Sequence, residues 1–363
     1  MKAICIGTRY EIYSDTLKTY DQLPAQVYSV CFDEMTGFYL NKHTDIEIKE
    51  KVYGVHTEKV EKVIRSFEAF ERSLGVILSG SKGIGKSMFA KMLACRAVQN
   101  GMPVLIVDCY RPGIASYLES IDQEIMILFD EFDKTFGIPG KAENGPQTSM
   151  LSLFDGVAQG KKLFVITCNQ MNSLNEFLVN RPGRFHYHFR FNYPSDAEIR
   201  AYLHDKLQPC YTAEIEKVVA FSMRVNLNYD CLRAIAFELN RGESFEQAIA
   251  DLNILNLGEE RYDIVLQFAN KQKYVAKDVP LNLFDPSRSA RFWMPNEHGF
   301  HDLEVSFNLD SCVYNYAERT ISIDGKGINL YWNNPETHKG DAWAPKYAEV
   351  ALTKESSFRF IAA

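Results

Sequence analysis

Hydrophobic positions along the chain change period several times, and each change marks an element. Val27–Phe32 and Gly37–Leu40, separated by Asp33-Glu-Met-Thr, predict a β-hairpin. From Glu58 to Leu74 the apolar residues Val60, Val63, Ile64, Phe67 and Phe70 recur at helical spacing with charges between them, which predicts an amphipathic helix. Short apolar runs then alternate with helical stretches. Strands are expected at 75–79, 104–108, 125–129 and 163–167, and helices at 86–99, 115–121 and 149–157. Strand runs with little internal alternation, joined by helices, signal a parallel sheet covered on both faces. From Ser195 the pattern is helical: Ser195-Asp-Ala-Glu198 is a capping box, and helices follow at 213–224, 228–240 and 244–253. Beyond Leu255 a helix near 259–271 gives way to strand-like runs. Asp324-Gly325 lies between Arg319–Ile323 and Ile328–Trp332 and predicts a hairpin there. The expected division is an N-terminal β-rich module (1–50), an α/β core (51–194), a helical lid (195–255) and a C-terminal β-rich domain (256–363).

Composition narrows the function classes. The 363 residues carry 40 Lys and Arg against 47 Asp and Glu, a net charge of −7. That balance argues against a protein that coats nucleic acid by bulk electrostatics. No apolar run approaches the ~20 residues needed to span a bilayer, and nothing after Met1 reads as a signal peptide, so a cytoplasmic protein without membrane contact is expected. The 8 cysteines show neither CxxC pairing nor the density of a disulfide scaffold.

Chemistry is concentrated in two motifs. Gly80, Ser81, Lys82, Gly83, Ile84, Gly85, Lys86 and Ser87 fit the P-loop pattern GxxxxGK[ST], between an expected strand and an expected helix that continues through Met88. Its glycines let backbone N–H groups converge on phosphate oxygens, and the helix N-terminus adds its positive dipole end. Lys86 is placed to reach the β- and γ-phosphates and Ser87 to ligate Mg²⁺. About forty residues on, Ile125-Met-Ile-Leu-Phe-Asp-Glu131 ends an apolar strand in two carboxylates. Asp130 is assigned to the magnesium shell and Glu131 to polarising the attacking water. ATP and Mg²⁺ are the expected cofactors.

Leu163-Phe-Val-Ile-Thr-Cys-Asn169, Asn180-Arg-Pro-Gly-Arg-Phe185 and the preceding Leu151-Ser-Leu-Phe-Asp-Gly156 resemble the second region of homology of AAA ATPases. The resemblance covers roughly 52–255. It implies a P-loop AAA+ core with a helical lid, and it implies ATP hydrolysis in a homo-oligomeric ring, a hexamer. By position, Asn169 resembles the sensor-1 residue that orients the lytic water. Arg181 and Arg184 resemble the paired arginines that reach the neighbouring subunit's nucleotide, and Tyr53 and Gly54 the backbone segment against adenine. Only about sixteen residues separate Asp108 from the strand at Ile125, and they hold Tyr110-Arg-Pro-Gly113. In this compactness the chain is similar to the small AAA ATPases encoded by tailed phages, which would place it in a host cytoplasm. Tyr110 either projects into a pore or packs against Ile114 and Tyr117. Arg233 is either a sensor-2 arginine or a solvent-facing one.

Other segments carry less. The loop 137–147 either faces a channel or is plain surface. His186, His188, His298 and His301 read as structural, since no Cys or carboxylate cluster completes a metal site. Phe284–Trp293 mixes aromatics with Arg288 and Arg291, yet residues 256–363 hold 12 basic against 15 acidic side chains. A partner-docking or inter-subunit surface is the better reading. Three functions stay open: a remodelling motor acting on a protein client held by the β-rich ends, a motor or loader on DNA or RNA, and a slow nucleotide-gated scaffold.

Overall fold

The computed structural model describes residues 2–44, 46–48, 51–53, 56–137, 145–155, 160–169, 171–175, 178, 183–222, 225–252, 254, 260–281, 283, 289–295, 301–315, 320–333, 338 and 340–353. The chain divides into two units, Met1–Asn192 and Tyr193–Ala363.

In the first unit, β1 (Lys2–Ile6) and β2 (Arg9–Tyr13) form a two-stranded ribbon. All other strands among the described residues of this unit join one sheet: β3 (Val27–Asp33), β4 (Gly37–Lys42), β5 (Leu74–Ser79), β6 (Val104–Val107), β7 (Ile125–Phe129), β8 (Lys162–Cys168) and β9 (Tyr187–Arg190). The order is β4-β3-β6-β7-β8-β5-β9, with every neighbouring pair parallel except β3–β4. Every residue of β5, β7 and β8 is buried, as unbroken apolar runs require when both faces are covered. Helices α1 (His56–Ala69), α2 (Lys86–Gln99) and α3 (Ile114–Glu119) connect them; α1 buries the predicted Val60, Val63, Ile64 and Phe67.

The hairpin at 27–42 forms as expected, but it is no part of a separate module ending at residue 50. Val27, Tyr28 and Ser29 pair in parallel with Val104, Leu105 and Ile106. Tyr28 and Val30 share an apolar cluster with Leu105, Val107 and Ile127, so burying the edge of β6 fixes the hairpin to the core. The expected helix 149–157 is present as two short turns, Pro146–Ser149 and Leu151–Phe154.

The second unit begins with helices Asp196–Lys206, Ile215–Phe221, Tyr229–Asn240 and Phe245–Asp251. The capping box is formed: Glu198 N donates to Ser195 Oγ at 3.4 Å, and Ser195 N donates to Glu198 Oε2 at 2.8 Å. Among the described residues eight strands follow: β10 (Glu260–Phe268), β11 (Lys273–Leu281), β12 (Ser289–Pro295), β13 (His301–Asn308), β14 (Cys312–Asn315), β15 (Thr320–Asp324), β16 (Ile328–Trp332) and β17 (Pro345–Leu352). They form a five-stranded sheet, β11-β10-β17-β15-β14, and a three-stranded sheet, β12-β13-β16, with one shared apolar core.

Two expectations fail here. Where a helix is expected near 259–271, Glu260–Phe268 is strand: Tyr262, Ile264, Leu266 and Phe268 alternate into the core, a period of two. The hairpin across Asp324-Gly325 is absent, because β15 and β16 lie in different sheets. Asp324 Oδ1 accepts from Lys326 N at 2.9 Å and starts a 3₁₀ turn that carries the chain across. A side chain at Gly325 would meet Pro345 O at 1.9 Å, so only glycine fits the crossing.

Candidate nucleotide site

β5 runs straight into the loop 80–85 and then α2, so strand, loop and helix stand as the motif requires. Gly80, Gly83 and Gly85 have φ of 140°, 72° and 100°, a left-handed region that side chains avoid. A Cβ at Gly80 would also sit 2.4 Å from Phe191 O. The other wall carries His56, the first residue of α1. Its ring stacks on Phe191 with centroids 5.1 Å apart, and Nε2 would lie 3.8 Å from a Cβ at Gly85.

Lys86 is 8% exposed. Its Nζ donates to Gly80 O and Ser81 O, each at 2.6 Å, and to Asn169 Oδ1 at 3.0 Å. All three acceptors are neutral oxygens. Burial pushes the ammonium below the ordinary lysine value, opposed by the nearby acidic groups Cys168, Asp133, Asp130 and Glu131. A buried cation bonded only to neutral groups, under a loop of permissive glycines, fits an anion such as a phosphate.

The acidic pair sits at the C-terminal end of β7. Thr167 Oγ1, on neighbouring β8, donates to Asp130 Oδ1 at 2.6 Å and accepts from Glu131 N at 2.8 Å. Glu131 has φ 48° and ψ 47°, unusual for a residue with a side chain and worth about 1–3 kcal/mol of strain. Its carboxylate pairs with Lys134. That hydrogen bond, helped by Asn169 and Lys82, holds Glu131 below the usual carboxylate range. Asn169 N donates to Asp133 Oδ2 at 3.0 Å, which fixes the residue following β8.

The structure therefore brings Lys86, Asn169, Asp130 and Glu131 to one end of the sheet. Ser87 and Met88 lie in the first turn of α2, with Ser87 exposed, and Lys82 is exposed on the loop. Among the described residues no cluster of three or more His, Cys, Asp or Glu could hold a metal alone. One carboxylate and one hydroxyl suit Mg²⁺, which keeps several waters and takes its remaining ligands from phosphates.

Arg184 is placed elsewhere. It is 7% exposed, and its guanidinium pairs with Asp155 of the same chain through Nε and, at 2.7 Å, through Nη2. Tyr110 does not point outward: its ring packs edge-on against Phe136 with centroids 5.6 Å apart. Tyr53 is half-buried, with Lys51 Nζ 5.5 Å from its ring centroid. Arg233 is exposed, 3.8 Å from Asp230. Gly54, Arg181, Asn180, Arg288, His298 and most of the loop 137–147 lie outside the described residues.

Sequence reasoning did not single out Thr167, Asp133 or Asp155 for these roles. Thr167 had a signal, as the one polar residue in the run Leu163-Phe-Val-Ile-Thr167. Asp133 and Asp155 had none, because their partners are distant in sequence.

Residues 76–193 match the AAA family, the ATPase family associated with various cellular activities. The match starts in β5 and is shorter than the 52–255 suggested by the motifs. An ATPase family AAA domain-containing protein of Arabidopsis thaliana is 28% identical over 152 residues, 36% of this chain and 12% of that protein. Tat-binding homolog 7 of Caenorhabditis briggsae is 27% identical over 154 residues, again 36% of this chain and 12% of the relative. The chain thus spans only about an eighth of the length of these relatives. Family match and relatives together support an AAA-family ATPase domain within residues 76–193.

Proposed function

We propose that the chain hydrolyses ATP with Mg²⁺ and uses the energy to remodel or move a protein partner as a homo-oligomeric ring. The observation that carries the ATPase reading is the buried Lys86 ammonium, bonded only to neutral oxygens beside Asn169, Asp130 and Glu131. In this reading the glycine loop and Lys86 hold the phosphates, while Ser87 and Asp130 hold Mg²⁺, which neutralises charge on the phosphate oxygens. Glu131 leaves Lys134 to take a proton from water, and Asn169 orients that water.

Tyr53 and Gly54 are assigned to the base, and residues 195–255 to a lid that moves with nucleotide state. Arg181 is assigned to the neighbouring copy's nucleotide. Arg184 can share that task only by leaving Asp155. The acidic balance of residues 256–363 favours a protein partner over nucleic acid.

The deciding experiment is Glu131→Gln. The variant should bind ATP like the unaltered chain while turnover falls by about 10²-fold or more. Loss of ATP binding, or unchanged hydrolysis, removes Glu131 from this role. Stimulation of the unaltered chain by single-stranded DNA would shift the reading to nucleic acid.

A further inference from the structure

A row of polar side chains runs outward from the glycine loop. Lys86 Nζ donates to Asn169 Oδ1 at 3.0 Å. A lysine only donates, so the amide oxygen faces it and Nδ2 points the other way. That Nδ2 is buried and reaches no acceptor among the described residues, although the Glu131 carboxylate lies close enough for Asn169 to act on it. Glu131 in turn pairs with Lys134, and Lys82 of the loop acts on the same carboxylate. We propose that Lys134 leaves Glu131 to bind the terminal phosphate of the nucleotide, and so makes the site tell a triphosphate from a diphosphate. Resting on the ATPase reading, this adds a binding residue to the same site.

Donors outnumber the acceptors the row itself supplies. Asp130 is engaged by Thr167 Oγ1 and Asp133 by Asn169 N. That leaves the Glu131 carboxylate facing Lys82, Lys134 and the unsatisfied amide, with the buried Lys86 ammonium behind them. The complement of such a row is an anion with many oxygens, laid from Lys86 outward so that its last group meets Lys134. The lysine is the part free to move. Glu131 N is held by Thr167 Oγ1 at 2.8 Å, whereas the Lys134 ammonium ends a flexible stem and its side chain is 45% exposed. An ion pair so open to water is weak. A terminal phosphate offers the same ammonium more charge and three strong acceptor oxygens. The exchange also frees the carboxylate assigned to water.

The test reads binding rather than turnover. Lys134→Met and Lys134→Arg are each made in the full chain carrying Glu131→Gln, which keeps ATP intact and removes the lysine's partner. Dissociation constants of fluorescent ATP and ADP are then measured with Mg²⁺ present. Lys134→Met should weaken ATP by about five- to tenfold and ADP by less than about twofold, as the loss of one charge-assisted contact to the last phosphate requires. Lys134→Arg should keep most of the preference, since it keeps the charge. A lysine that served only to hold Glu131 would have no effect in this background, so unchanged ATP affinity overturns the proposal. Equal weakening of both nucleotides overturns it too, as does a lowered Tm that accounts for the loss. If the chain with Lys134 intact binds neither nucleotide, the ATPase reading falls and takes this role with it. If it binds both and Lys134→Met leaves their ratio unchanged, the role of Lys134 falls alone.

Discussion

Thr167 and Asp130 are joined by a hydrogen bond of 2.6 Å across neighbouring strands, and the same threonine hydroxyl accepts from Glu131 N at 2.8 Å. One hydroxyl thus orients the carboxylate assigned to the metal and the backbone of the residue assigned to water. Thr167→Val keeps the shape and removes both bonds. Leaving such groups unsatisfied costs about 1–3 kcal/mol, so turnover should fall about 10–100-fold while nucleotide affinity changes little. Thr167→Ser should restore most of it. Steady-state ATPase rates beside fluorescent-nucleotide binding check this, and full turnover in Thr167→Val would refute it.

Arg184 and Asp155 give a second prediction. The arginine is buried and the aspartate is 40% exposed, so the pair stands between the buried and surface cases. Arg184→Ala should destabilise the chain by roughly 1–3 kcal/mol, read as a lower urea midpoint. Arg184→Lys should recover only part, because an ammonium cannot make the paired bonds of a guanidinium. A variant with undiminished stability and lost turnover would instead show that the arginine works at another copy's nucleotide.

His188 Nε2 lies 2.7 Å from Ser79 Oγ, at the strand end that leads into the glycine loop. Burial, then Arg190, pushes its pKa below the ordinary value of 6.5. Between that ordinary value and the lower folded one, the unfolded chain holds the extra proton. Stability should therefore fall as pH drops below about 6.5 and level off once the folded imidazole is protonated too. His188→Gln keeps a partner for Ser79 and should flatten this part of a plot of Tm against pH.

Cys168 is fully buried, 3.6 Å from Met171 Sδ, and burial is the main cause of a thiol pKa pushed up to about 12. The thiolate is the reactive form. Brief alkylation of the native chain should label the exposed Cys5, Cys109 and Cys210 and spare Cys168 until the chain unfolds. Peptide mapping by mass spectrometry reads this directly, and rapid labelling of Cys168 would show that the sheet end beneath Lys86 opens.

What the sequence disclosed was local. The glycines at 80, 83 and 85, the apolar run ending at Asp130 and the Ser195 capping box each act within a few residues, and each folds as read. Most of the failures are long-range. The 27–42 hairpin was legible, but its pairing with β6 depends on residues some eighty positions away. Asp324-Gly325 carries a turn signal, yet the backbone at Pro345 decides where that turn leads. By resemblance Arg184 is assigned to a neighbouring copy's nucleotide, and nothing near it in the sequence announces its pairing with Asp155. β10 is the local exception: the alternation Tyr262, Ile264, Leu266 and Phe268 stands in the sequence, where the helical expectation near 259–271 overlooks it.

The path of the chain through the C-terminal strands has a kinetic consequence. β10 and β11 belong to one sheet, β12 and β13 to the other, β14 and β15 to the first again, β16 to the second and β17 to the first. Neither sheet is a continuous stretch of polypeptide, and β17 must return to sit beside β10 before the larger one exists. Such distant closures make folding slow, and cutting the chain between these strands leaves both layers incomplete. This region should ripen late after synthesis and fail as a whole.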